Sequence, residues 1–164
     1  VRMKIYLDMD GVLANFNKKY EEVFGIDPAL VAKQSAESDK NFQEFILGHH
    51  FVNLEYMPNA KRLLEFVDGL DVDIEILSSS GGALHHEEVE MQKKIWLNSK
   101  LIHYPVNIVP GGSKKALFAA PDRVLIDDTE RVVNKYREVG GVAILHRDDD
   151  IEHTFYELTR IFGQ

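Results

Sequence analysis

The stretch Ile5-Tyr6-Leu7-Asp8-Met9-Asp10-Gly11-Val12-Leu13-Ala14 decides how this chain is read. A short apolar run ends in two aspartates one residue apart, and a glycine follows at once. A second apolar run, Val124-Leu125-Ile126, ends the same way, in Asp127-Asp128. Two strand ends that both carry acids point to a metal site, because a like-charged pair ~4 Å apart costs on the order of 4 kcal/mol at an effective dielectric of about 20. A divalent cation removes that cost. If strand geometry persists through Met9, the side chains of Asp8 and Asp10 share one side. Gly11 then permits a sharp turn and a close approach of backbone N–H groups to an anion.

Outward from these motifs, apolar runs suited to buried strands fall at roughly residues 3–8, 72–77, 106–109, 123–126 and 142–145, most of them followed by helical spacing. Such alternation predicts a parallel sheet. Val12, Leu13, Phe16, Tyr20, Val23 and Phe24 recur at steps of three and four, as do Ala60, Leu63, Leu64 and Val67, then Val132, Val133, Tyr136 and Val139, which predicts amphipathic helices facing a core. Asp148-Asp149-Asp150 precede Ile151, Phe155, Leu158 and Ile161, so the triplet is expected to cap the last helix at its positive dipole end. About sixty residues separate the first two strands, where a dozen suffice for one crossover. We therefore expect one domain over 1–164, with a core at about 1–16 and 58–164 and a small helical cap at about 17–57. Phe16, Phe42, Phe45, Phe51 and Tyr56 supply cap aromatics for core packing or for stacking on a planar ligand group.

Composition narrows the function. With 164 residues and a net charge of −8, the chain is not expected to grip long nucleic acid through many phosphates, although a strand end could enter a local pocket. It has no cysteine, which excludes disulfides, zinc–thiolate centres and cysteine nucleophiles. No stretch approaches the ~20 apolar residues of a membrane span, and a soluble, cytoplasmic protein is expected, with a homodimer allowed.

In an open parallel sheet, ligands collect beyond the carboxyl ends of the strands, where the strand order reverses. Asp8, Asp10, Asp127, Asp128 and Ser78-Ser79-Ser80 all lie at expected carboxyl ends. Ser78 and Ser79, followed by Gly81-Gly82, offer hydroxyls and backbone donors for phosphate oxygens. Lys114 and Lys115 open a short helical pattern and add positive charge.

In this order the motifs resemble the haloacid dehalogenase superfamily of aspartate-nucleophile phosphohydrolases: Asp8-Met9-Asp10-Gly11-Val12-Leu13-Ala14, then strand-ending Ser78, then Lys115, then Asp127-Asp128. The first motif also resembles the 5′(3′)-deoxyribonucleotidase branch, although Asn15 stands where that branch tends to carry an acid. The resemblance implies a Rossmann-like three-layer α/β/α fold, a five-stranded parallel sheet of order 5-4-1-2-3 and a cap inserted after the first strand. It implies Asp8 as the nucleophile that forms an aspartyl-phosphate, and Asp10 as the general acid and base. Magnesium would be held by the Asp8 carboxylate, the Asp10 backbone carbonyl and Asp127, with Asp128 orienting metal waters or Lys115. Ser78 and Lys115 would hold the non-bridging oxygens, with Lys115 preferred over Lys114 because Ala116-Leu117-Phe118-Ala119 resembles the segment on the C-terminal side of the family's lysine. Gly11, Ser79, Phe16 and Phe51 would line the substrate.

The expected activity is that of a magnesium-dependent phosphatase on a small phosphate ester, foremost a deoxynucleoside or nucleoside monophosphate (a 5′-nucleotidase or deoxyribonucleotidase). A polynucleotide 3′-phosphatase or a sugar-phosphate phosphatase keeps the chemistry and changes the substrate, and transfer to an acceptor other than water uses the same intermediate. A non-catalytic metal- and phosphate-binding module is the reading from another class. His49-His50 and His85-His86 lack the spacing of a metalloprotease helix, and Pro110-Gly111-Gly112-Ser113-Lys114 lacks the Walker pattern. Trp96 is expected to be packing.

Overall fold

The computed structural model describes residues 2–163. Five strands form one parallel sheet: β1 (Lys4–Leu7), β2 (Asp73–Ser79), β3 (Val106–Val109), β4 (Arg123–Asp127) and β5 (Val142–Leu145). Their spatial order is β3-β2-β1-β4-β5, the expected order seen from the other edge. The order reverses at β1, whose Leu7 lies opposite Ile76 of β2 on one side and Ile126 of β4 on the other. Alternate side chains enter different layers. Ile5, Leu7, Ile76, Val124, Ile126 and Ile144 pack in one core with α3 (Ala60–Asp68), α4 (His86–Ser99) and α6 (Ile151–Phe162). Tyr6, Leu77, Leu125 and Ala143 face the other way, against α5 (Glu130–Glu138). This is the three-layer arrangement that buries both faces of a parallel sheet.

Between β1 and α3 the chain builds the helical cap from α1 (Phe16–Phe24), α2 (Ala36–Leu47) and two short 3-10 turns, Pro28–Leu30 and His50–Asn53. Its centre is aromatic: Phe45 lies 4.9 Å from both Phe16 and Phe51, ring centre to ring centre. The cap is stitched to the core at its two ends, where Asn15 N–H donates to Glu55 O at 2.8 Å and Met57 N–H to Leu13 O at 2.8 Å. Helix α4 ties it from the side. Gln92 Nε2 donates to Ile46 O at 2.9 Å, and the fully buried Trp96 donates its indole N–H to Leu54 O at 2.7 Å. Among the described residues no helix is long and apolar enough to cross a membrane.

Two local expectations are corrected. Val12 and Leu13 belong to a turn, not to the first helix: the N–H groups of Val12, Leu13 and Ala14 all donate to Met9 O, and Asn15 caps α1 by accepting from Lys18 N–H. Both residues are still fully buried, so their spacing recorded core packing without recording helix. The aspartate triplet forms a 3-10 turn before α6 and makes no side-chain cap there. Asp148 instead accepts the Asn59 N–H at 3.0 Å, capping the approach to α3 from a distant segment.

Trp96→Phe removes the α4–cap hydrogen bond and leaves the Leu54 carbonyl buried and unpaired. The urea midpoint should fall by an amount equivalent to about 1–2 kcal/mol with an unchanged m-value.

Candidate active site

β1 and β4 are neighbours in register, so the residues at their carboxyl ends come out side by side. Asp8 is 6% exposed and Asp127 fully buried. Between them sits Lys115, itself buried, whose ammonium donates to Asp8 Oδ1 at 2.9 Å and to Asp127 Oδ2 at 2.7 Å. The 3-10 geometry of Gly112–Phe118 turns Lys115 inward and leaves Lys114 exposed, which separates the two candidates. Burial pushes the Lys115 ammonium toward losing its proton, but Asp8 and Asp127 outweigh that and hold its pKa above the ordinary lysine value.

The remaining oxygens of this pair are divided. Asp8 Oδ1 also accepts the Met9 N–H at 2.8 Å, which leaves Oδ2 without a hydrogen bond among the described residues. Asp127 Oδ1 accepts the Thr129 N–H at 2.9 Å, just before α5 begins. Carboxylate oxygens of Asp8, Asp127 and Asp128 all lie within 4.8 Å of one another. Asp128 therefore stands in the cluster itself, whereas Lys115 touches only Asp8 and Asp127. Gly11 makes room for it: its φ is +82°, and a Cβ there would come within 1.9 Å of Asp128 Oδ2. Burial, then the charge of Asp8, raises Asp127 to about 6 against the pull of Lys115. Burial, then Asp8, Asp127 and Asp10, raises Asp128 to about 8.

Asp10 faces another partner. Its Oδ2 accepts from Lys93 Nζ at 3.1 Å, while its Oδ1 is buried with no hydrogen-bond partner among the described residues. The Asp10 carboxylate is not part of the three-carboxylate group. Lys93 is 1% exposed and also donates to Ser78 Oγ and to Ser79 O, both at 2.7 Å. This second lysine escaped the sequence reading, although a signal existed. Buried residues of α4 fall at 89, 92, 93, 96 and 97, the spacing of one helix face, and that face includes Gln92 and Lys93 between Val89 and Trp96.

Asp8, Asp10, Gly11, Ser78, Ser79, Lys93, Lys115 and Asp128 line one cavity of about 390 Å³, together with Gly111, Gly112 and the start of α5. Neither histidine pair lines it. A second cavity of about 350 Å³ shares Gly11, Asn17 and Asp128 with the first and runs between Phe16, Met57 and Pro58 of the cap side and His146 and Arg147 of the core. Phe16 lines that second cavity. Phe51 lines neither, being 2% exposed and packed among Phe16, Phe42 and Phe45.

With all four carboxyls ionised, they face two ammoniums with an excess of two negative charges, which one divalent cation balances. The donor set is all oxygen, suited to a hard ion such as magnesium, and the mutual distances of Asp8, Asp127 and Asp128 fit a shared cation.

No protein-family model matches the sequence, and no curated protein matches it. Solved structures do match. A hydrolase from Streptococcus pneumoniae aligns over 99% of both chains with a TM-score of 0.55 at 10% identity. CbbY from Rhodobacter sphaeroides in complex with phosphate aligns over 90% of this chain and 87% of its own, with a TM-score of 0.51 at 12% identity. L-2-haloacid dehalogenase from Xanthobacter autotrophicus, with chloropropionic acid covalently bound, aligns over 87% of this chain and 76% of its own, with a TM-score of 0.53 at 8% identity. The likeness is one of fold: the chain shares the Rossmann-like α/β fold of these three proteins.

The raised carboxyls give a signed pH dependence. An acid whose folded pKa lies above its unfolded value binds more protons folded, so its contribution is present at low pH and lost as pH rises through the folded pKa. Chelator-treated protein should lose at least about 3 °C of melting temperature between pH 5 and pH 8.5. Magnesium should restore it at pH 8.5, and Asp128→Asn should flatten both effects in thermal melts followed by circular dichroism.

Proposed function

We propose that this chain is a magnesium-dependent phosphomonoesterase acting through an aspartyl-phosphate on Asp8. The observation that carries the reading is the pair of differently held aspartates: Asp8 has one oxygen fixed by Lys115 and Met9 and the other free, while Asp10 has one oxygen fixed by Lys93 and the other unpaired. In the first step Asp8 Oδ2 bonds to phosphorus as the bond to the leaving oxygen breaks, and Asp10 gives that oxygen its proton. In the second, water attacks phosphorus, its proton returns to Asp10, and Asp8 is released with inorganic phosphate. Lys115, bonded to Asp8, and Ser78, in the wall of the same cavity, would meet the phosphoryl oxygens. Asp8, the Asp10 carbonyl, Asp127 and Asp128 would hold the magnesium, which supplies further positive charge to those oxygens.

Asp10 also bears on the choice between a phosphate ester and a haloacid. A halide leaves without a proton, whereas an alkoxide needs one, and a second aspartate beside the nucleophile can supply it, which favours the phosphate ester. The leaving group would occupy the second cavity against Phe16, which suits the base or sugar of a nucleoside monophosphate. The sugar-phosphate alternative draws support from CbbY, a structural neighbour also described in complex with xylulose-(1,5)bisphosphate.

A phosphatase screen with and without magnesium tests this. Turnover of p-nitrophenyl phosphate should require magnesium and fall by at least about 10³-fold in Asp8→Asn. Among dTMP, dUMP, a 3′-phosphorylated oligonucleotide and sugar phosphates, a nucleoside monophosphate should give the highest kcat/KM. Tight phosphate binding without turnover would instead mark a binding module.

A further inference from the structure

Resting on the phosphomonoesterase reading, the geometry points to Lys93 as a positioning residue that orients the Asp10 carboxyl for the leaving group, and to the cap residue Phe51 as what seats Lys93. A lysine ammonium has three N–H donors. All three acceptors of Lys93 are accounted for: Ser78 Oγ, Ser79 O and Asp10 Oδ2. The group is thus fully satisfied by the protein, unlike a lysine held ready for an incoming anion. With Oδ1 buried and unpaired, the bond from Lys93 to Oδ2 is the one that anchors the Asp10 carboxyl and sets how it faces the cavity. By taking Ser79 O and Ser78 Oγ, it ties that orientation to the end of β2, where the phosphoryl oxygens would be received. Lys115 sits on the other side, between Asp8 and Asp127, and makes no bond to Asp10 among the described residues. The two lysines therefore divide the site: one aligns the nucleophile and the other the acid.

Phe51 enters because Lys93 Nζ lies 5.4 Å from its ring centre. The ammonium is held by oxygen on one side and by an aromatic face on the other, an arrangement a cation favours when desolvated. Gln92 and Trp96, on the same buried face of α4, bond to cap carbonyls, so the helix that carries Lys93 is held against the segment that carries Phe51. An aromatic buried in the cap thereby bears on the acid without touching substrate.

The test compares two substrates that differ in their need for a proton. The leaving group of 2,4-dinitrophenyl phosphate departs as a stable anion, whereas that of an alkyl phosphate must be protonated. In Lys93→Met, kcat for the alkyl ester should fall by about 10²-fold while kcat for the dinitrophenyl ester falls less than about fivefold. Lys93→Arg should recover part of the difference. Phe51→Leu, which keeps the lysine and most of the buried volume, should show the same selective loss at about a tenth of the size. Equal losses on both esters in Lys93→Met, or an unchanged ratio in Phe51→Leu, would overturn the assignment. Should Lys93→Met fail to fold, the ratio in Phe51→Leu decides alone. Absence of magnesium-dependent turnover in the wild type, or turnover undiminished in Asp8→Asn, would refute the underlying reading of a phosphatase acting through Asp8 instead, so the two failures are separable.

Discussion

The buried ion triple Asp8–Lys115–Asp127 is the constraint on which the site depends. Parallel pairing of β1 with β4 delivers two carboxylates to adjacent strand ends, where their repulsion in a poorly solvated setting would be costly unless a cation lies between them. Lys115 meets that need from a third segment. Buried ion pairs of this kind contribute little net stability over a hydrophobic replacement, because desolvation offsets most of the attraction. What the triple supplies is geometry. It fixes one oxygen of Asp8, frees the other, and through Asp127 and the Thr129 N–H fixes where α5 starts.

That geometry in turn rests on the turn after β1. Met9 O gathers three successive N–H groups, which bends the chain sharply enough to bring Asp10 round to Lys93 and to bury Val12 and Leu13 under the cap. Gly11 is required twice over, by its positive φ and by the Asp128 carboxylate pressed against it. A side chain there would displace one of the three clustered acids. The sequence Asp-x-Asp-Gly is therefore a single mechanical unit whose glycine is shaped by a residue more than a hundred positions away.

The strands were legible because a doubly covered parallel sheet forces continuous apolar runs, and the observed strand limits stay within two residues of those expected. The acidic ends were legible because carboxylates at such ends have few structural uses. Lys115 could be preferred over Lys114 by the Ala-Leu-Phe-Ala run on its C-terminal side, yet only the 3-10 path of residues 112–118 turns one inward and the other out. Lys93 escaped because composition marks a lysine on a helix of mixed polarity as solvated, and the three oxygens that make its burial tolerable lie 14 to 83 positions away. The cap of α3 by Asp148 was hidden for the same reason: a carboxylate next to a helix start reads as its cap, whereas the N–H it accepts belongs to Asn59. Both of these misses are long-range polar contacts, whereas the turn at Val12 and Leu13 is a local one whose buried spacing read as helix.

Phe51 shows how the same limit shapes any reading of substrate. An aromatic in the cap is a fair candidate for stacking on a planar ligand, but α4 draws the cap down through Gln92 and Trp96 until Phe51 is enclosed by other rings and by the ammonium of Lys93. Phe16 differs because it opens α1 directly after the stitched hinge at Asn15 and keeps one face on the second cavity. With the cap bonded at both of its ends and along α4, the room beside the carboxylates is set by packing already present. On the phosphomonoesterase reading, substrate choice then falls to what fits between Phe16, Met57 and Pro58 on one wall and His146 and Arg147 on the other.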